Sequence, residues 1–182
     1  MPNMIDVTYA QTGKSTKTNQ YGMREMQERA FQARDAQYLL LKAPPASGKS
    51  RALMFIALDK LYKQGLQKVI VAVPERSIGS SFRTTRLSEQ GFFADWDYDP
   101  HYNLCTPGLE GSKSKVNAFI EFLTKENPSE KERVLICTHA TLRFAFDAAE
   151  ESFFNNTLLA IDDCRKAGVQ MCCKLVVGSK PN

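Results

Sequence analysis

The chain is 182 residues long, 43% hydrophobic and 24% charged, which is the length of one domain and the composition of an ordinary globular one. It is too short for two nucleotide-binding lobes of ordinary size, and no apolar run approaches the roughly 20 residues needed to span a bilayer. A net charge of +4 permits a local polyanion-binding patch without requiring one.

In chain order, residues 1–20 are polar, rich in Thr, Gln and Lys, and lack hydrophobic periodicity, so an extended or disordered arm is expected. They hold no apolar core of a secretory signal, and a cytoplasmic location follows as the expectation. From Gly22 to Ala36, Met23, Met26, Ala30 and Phe31 recur at helical spacing. Tyr38–Leu41 reads as a buried strand, and Lys49–Gln64 as a helix stopped by Gly65. Lys68–Val73 is a β-branched buried strand closed by Pro74, and Ser77–Gln90 is predicted as a helix ended by Gly91.

Phe92–Gly111 is aromatic and turn-rich, with a short strand expected around Tyr102–Cys105. A helix over Val116–Thr124 follows, then strands at Arg133–Cys137 and Thr157–Ile161 separated by a helical segment from Thr141 to about Glu151. Continuous apolar strands alternating with helices predict an α/β fold with a mainly parallel sheet and helices on both faces.

Ala43-Pro44-Pro45-Ala46-Ser47-Gly48-Lys49-Ser50 lies between a predicted strand and a predicted helix, the context in which a Gly-Lys-Ser motif cradles phosphate. Backbone amides and the positive helix end would face the phosphates, Lys49 would carry a charge to them, and Ser50 would offer a hydroxyl to Mg2+. Gly13-Lys14-Ser15 repeats the tripeptide with no strand before it and is set aside. Ala46 stands where a positive φ would be strained for any residue but Gly.

These residues resemble the first RecA-like lobe of a superfamily 2 helicase of the DEAD/DEAH type. The nearest flavour is the Res-subunit lobe of type III restriction enzymes and phage-type translocases. Such lobes commonly have Ala at the position of Ala43. Gln27, in Gly22–Ala30, matches the family's adenine-reading Gln, which would favour ATP. Val71-Ala72-Val73-Pro74-Glu75-Arg76-Ser77 resembles motif Ia, and Leu135-Ile136-Cys137-Thr138-His139 resembles the family's strand ending in Thr-His. The resemblance therefore implies that Arg76, Ser77 and Thr138, with His139 as neighbour, contact single-stranded DNA or RNA.

Leu158-Leu159-Ala160-Ile161-Asp162-Asp163 resembles motif II, which implies that Asp162 holds Mg2+ and Asp163 stands where the catalytic Glu is usual. Shortening that group by one methylene puts hydrolysis in question, because a displacement of about 1 Å can cost roughly a hundredfold in rate.

The resemblance covers residues 21–163, the expected ATP-binding lobe. Residues 164–182 lack the family's Ser-Ala-Thr motif and form an atypical tail, so a truncated or frame-shifted product or a fragment is expected. A second RecA-like lobe or another subunit acting in trans is the implied protein partner. Of five cysteines, Cys164, Cys172 and Cys173 crowd the tail at spacings that do not suit a tetrahedral zinc site. A stand-alone phosphotransferase and a non-enzymatic, partner-binding remnant are the alternative readings.

Overall fold

The computed structural model describes residues 18–44, 46–106, 112–162 and 172–177. Helix α1 (Glu25–Gln32) leads to β1 (Tyr38–Lys42), α2 (Lys49–Tyr62) and β2 (Lys68–Val73). After a long connection come α3 (Ser112–Thr124), β3 (Val134–Thr138), α4 (His139–Ala148), β4 (Thr157–Ile161) and β5 (Cys172–Val177). The five strands form one sheet in the order β1-β5-β4-β2-β3.

Strand β2 pairs in parallel with both β3 and β4, giving a parallel three-stranded core, and β5 pairs antiparallel with both β4 and β1. Reversal on each side of β5 leaves β1 pointing the same way as β2, β3 and β4. The carboxyl ends of four strands therefore share one edge, where open α/β sheets collect their ligands.

Alternation along the core strands assigns side chains to two layers. Val69, Val71 and Val73 pack with Val134, Ile136, Leu158 and α2, whereas Ile70, Ala72, Leu135 and Cys137 pack with Phe119 and Phe122 of α3 and Leu142 of α4. All six residues of β2 are buried, because the strand is covered on both faces. The turn after α1 is tied to α2 through Arg34, whose Nε donates to the buried Asp59 carboxylate at 3.0 Å.

Four segments differ from expectation. Strand β1 is half exposed, with Tyr38 and Leu40 at 62% and 60%. It lies on the sheet edge, and only Leu39 and Leu41 reach the α1–α2 layer. The helix predicted over Ser77–Gln90 is a 3-10 turn, Arg76–Phe82, followed by an antiparallel bridge between Thr85 and Trp96. Gly79, the serines and two β-branched threonines favour helix weakly, and the buried Trp96 indole donates to the Phe82 carbonyl at 2.8 Å. Instead of a strand at Tyr102–Cys105 there is a 3-10 turn, Pro100–Tyr102, and one bridge from Asn103 to Ile136. Cys172–Val177, assigned from the sequence to the tail, is a strand within the sheet.

Cys105 and Cys137 are buried free thiols whose pKa values burial pushes up. Among the described residues no helix is long and apolar enough to cross a membrane.

Candidate functional site

The loop from β1 to α2 turns through two residues in the left-handed region, Ala46 at φ 57° and Gly48 at φ 90°. Gly48 caps α2, and a Cβ there would stand 2.5 Å from the Gln27 amide nitrogen, so glycine is required by both backbone and space. Ala46 takes the same region at a steric cost of about 1 kcal/mol. Pro45 lies outside the described residues. Ser47 Oγ donates to the Pro44 carbonyl at 2.7 Å. Lys49 Nζ donates to the Ala43 and Pro44 carbonyls at 2.9 and 2.7 Å, which folds its ammonium back over the loop.

Gln27 is 1% exposed and works as a strut: Nε2 donates to the Gly48 carbonyl at 3.1 Å, and Oε1 accepts from the Arg24 amide at 2.8 Å. A carboxamide has two donors and two lone pairs, so one donor and one acceptor remain for a ligand. Gln27 and Gly48 line a cleft of about 640 Å3 together with Asn19, Arg24, Arg51 and Gln90.

Three of those residues had drawn no attention in the sequence. Asn19, placed in the N-terminal arm, accepts from the Tyr21 and Met23 amides and folds the chain into a turn before α1. Arg51 donates to Gln90 at 2.6 Å, and its buried Nε has no partner. Burial, followed by the neighbouring Arg24 charge, pulls the Arg51 pKa down. Its position two residues after Lys49, in the first turn of α2, was the available signal.

Asp162 directly follows β4, is 7% exposed, and extends the ladder by donating its amide to the Ala72 carbonyl at 2.8 Å. One strand, β5, separates β4 from β1, which sets Asp162 about 10 Å from the β1 end at ordinary strand spacing. Ser50 is half-buried in the first turn of α2, and Asp163 lies outside the described residues. His139 contacts the Asp162 carbonyl through Nε2 at 2.9 Å. A carbonyl only accepts, so Nε2 carries the proton in this contact. The Thr-His strand end is thereby tied to the end of β4.

A second cleft, of about 200 Å3, opens between α3, α4 and the Arg76 turn. Arg76 and Thr138 line it, as do Lys115 and Phe144, which the sequence did not single out. Thr138 caps α4, its Oγ1 accepting from the Thr141 amide at 3.3 Å. Ser77 is exposed beside Arg76, and its carbonyl accepts from Ser80 Oγ at 2.8 Å. Gly79 fits against Cys105, where a Cβ would meet the cysteine's own at 2.7 Å, so the turn sits tightly on the 103–105 segment.

Fold and site together define an α/β protein with a strand–loop–helix unit and an acidic strand end on one sheet edge. The chain is 62% identical over 163 residues to a protein of Bacillus subtilis (strain 168) described as "Putative ATP-dependent helicase YeeB". That similarity takes in 90% of this chain. The chain spans 26% of the relative's own length. No family model matches the chain, and no solved structure matches it.

Proposed function

We propose that this chain is the ATP-binding, RecA-like first lobe of a superfamily 2 nucleic-acid-dependent helicase or translocase. The observation that carries the reading is the β1–loop–α2 unit, in which Gly48 turns the chain and Lys49 lies folded over the loop carbonyls. The helicase description of the Bacillus subtilis relative supports it independently.

The larger cleft suits ATP in volume and in chemistry. Its 640 Å3 falls in the ordinary range for small-molecule sites, and Gln27 retains one donor and one acceptor for an adenine edge. Lys49, with the loop from Pro44 through Pro45, Ala46, Ser47 and Gly48, would hold the phosphates. When nucleotide binds, Lys49 exchanges two carbonyl partners for phosphate oxygens, a charge-assisted contact that is stronger.

Among the described residues no group of three His, Cys, Asp or Glu side chains could hold a metal by itself. Ser50 and Asp162 are hard oxygen donors of the kind that bind Mg2+ jointly with nucleotide phosphates. The ion would supply charge neutralisation for phosphoryl transfer. Asp163 would orient the attacking water with a side chain shorter than the usual Glu, so hydrolysis by this lobe is expected to be weak. Arg76, Ser77 and Thr138 would take the nucleic-acid backbone, and His139 would couple that strand end to Asp162 through the contact described above.

The test is equilibrium binding of a fluorescent ATP analogue with Mg2+, comparing the parent with Lys49→Ala and checking the fold of each by circular dichroism. Binding is expected to weaken about a hundredfold in the variant. A folded parent that binds no analogue would sink the proposal.

A further inference from the structure

Arg51 follows Gly48-Lys49-Ser50 on α2 and is half-buried, its guanidinium carbon 5.6 Å from the Phe55 ring centroid. A guanidinium carries Nε and Nη2 side by side on one edge, a fork that matches two oxygens of a single phosphate. In Arg51 that edge is half used. Nη2 donates to Gln90 Oε1 at 2.6 Å, while Nε is buried and has no partner. A carboxamide offers one oxygen and no charge, so the second donor of the edge stays desolvated and unmatched.

The surroundings call for an anion. Arg51 and Arg24 both line the 640 Å3 cleft, and among the described residues no carboxylate lines it. Burial first, and then the Arg24 charge, pulls the Arg51 pKa down, so the two guanidiniums act on each other. The Gln90 oxygen held by Arg51 lies against Gly22, where any Cβ would collide with it. Gln90 is thus wedged between the turn before α1 and the first turn of α2.

The place of this edge narrows the ligand. Among the described residues Gln27 and Gly48 line the cleft, and Lys49, the cation of the loop, does not. In a nucleotide whose 5′-phosphates lie on the loop and whose base meets Gln27, the ribose falls between the two. Arg24, Arg51 and Gln90 are the polar lining that remains for it. Ribose hydroxyls are neutral and need no pair of guanidiniums. A phosphomonoester on the 2′ or 3′ oxygen supplies both the charge and the two oxygens that the edge lacks.

We propose that the Nε–Nη2 edge of Arg51, with Arg24 beside it, is a subsite for a phosphate carried on the ribose of a bound nucleotide, and that the Gln90 oxygen occupies half of that subsite. The inference rests on the ATP-binding reading of this cleft and adds a second phosphate position to it.

The experiment is calorimetric titration of the full chain with AMP, adenosine 2′,5′-bisphosphate and adenosine 3′,5′-bisphosphate, with ATP and Mg2+ titrated into the same samples. One bisphosphate is expected to bind about tenfold tighter than AMP to the parent, the worth of one charge-assisted pair, and which one does so identifies the ribose oxygen that faces Arg51. Arg51→Gln is expected to bring that ratio down to about 1, and Arg24→Gln, at an exposed cation, to lower it about threefold. Gln90→Ala removes the neutral competitor and is expected to raise the ratio roughly fivefold. Circular dichroism and thermal melts check folding, and Gln90 is an exposed turn residue whose truncation is not expected to disturb it.

Equal affinity for AMP and both bisphosphates in a parent that binds ATP overturns this inference alone. An unchanged ratio in a folded Arg51→Gln also overturns it, since Arg51 would then serve the 5′-phosphates or none. Where Arg51→Gln does not fold, Gln90→Ala decides, and an unchanged or lower ratio there overturns the proposal. A parent that binds neither ATP nor a bisphosphate overturns the ATP-binding reading along with it.

Discussion

The two clefts on the carboxyl edge solve opposite problems. In the cleft beside the β1–α2 loop Lys49 sits on two loop carbonyls, Gln27 braces Gly48 and Arg51 meets Gln90, while the buried Arg51 Nε has no partner. The strain there lies in the backbone, at the positive φ of Ala46 and Gly48. Around the α3–α4 cleft Thr138 caps its helix, and two cations, Arg76 and Lys115, line the wall. The first cleft is braced by hydrogen bonds within and onto its loop, whereas the second is lined by two like charges.

Several variants would break or sharpen this contrast. The largest effect is expected from Lys49→Ala, about a hundredfold on ATP-analogue affinity, with strand binding in the other cleft left within about twofold in nucleotide-free samples. Equal loss of both ligands would show that the clefts are not separable. Gly48→Ala places a Cβ 2.5 Å from Gln27 Nε2 at φ 90°. It is expected to cost about 2 kcal/mol in urea unfolding and to disturb the nucleotide cleft alone. Ala46→Gly relieves the other strained residue, and a gain of up to about 1 kcal/mol is expected in the same measurement. A loss of stability there would mean that the loop is not under strain at Ala46.

The smallest effect should come from a carboxylate remote from both clefts. Glu132 precedes β3 on the opposite edge and accepts from Lys125 at 2.6 Å and from the Ser129 amide and hydroxyl. The Lys125 contact, then those from Ser129, lower its pKa from 4.5 to about 2. A folded-state pKa below the unfolded one means stability that is present above pH 4.5 and lost as pH falls towards about 2. Glu132→Gln is expected to flatten that acid limb in pH-dependent unfolding while leaving both ligands bound as in the parent.

Local patterns carried the strand–helix alternation, the position of the β1–α2 loop and the strand ends at Val73 and Ile161, since each is a matter of a few adjacent residues. Asp162 was legible because an apolar run delivers it, and Ala46 because a positive φ at a non-glycine has a local cause. Ser77–Gln90 was misread because length and composition outweighed weak propensity. In the protein, Trp96 takes the Phe82 carbonyl and Cys105 crowds Gly79, contacts with partners 14 to 26 residues away in sequence. Strand β1 was read as fully buried because an apolar run does not say whether it lies at a sheet centre or at an edge.

By itself the sequence determined most of the strands and helices and the place of the loop between β1 and α2, because period, caps and breakers act over one or two turns of chain. Tertiary structure decided the rest: that Cys172–Val177 inserts between β1 and β4, that Gln27 faces Gly48, and that Lys115 shares a cleft with Arg76 and Phe144. Those are long-range pairings, and the pattern within one segment does not encode which distant segment will cover it.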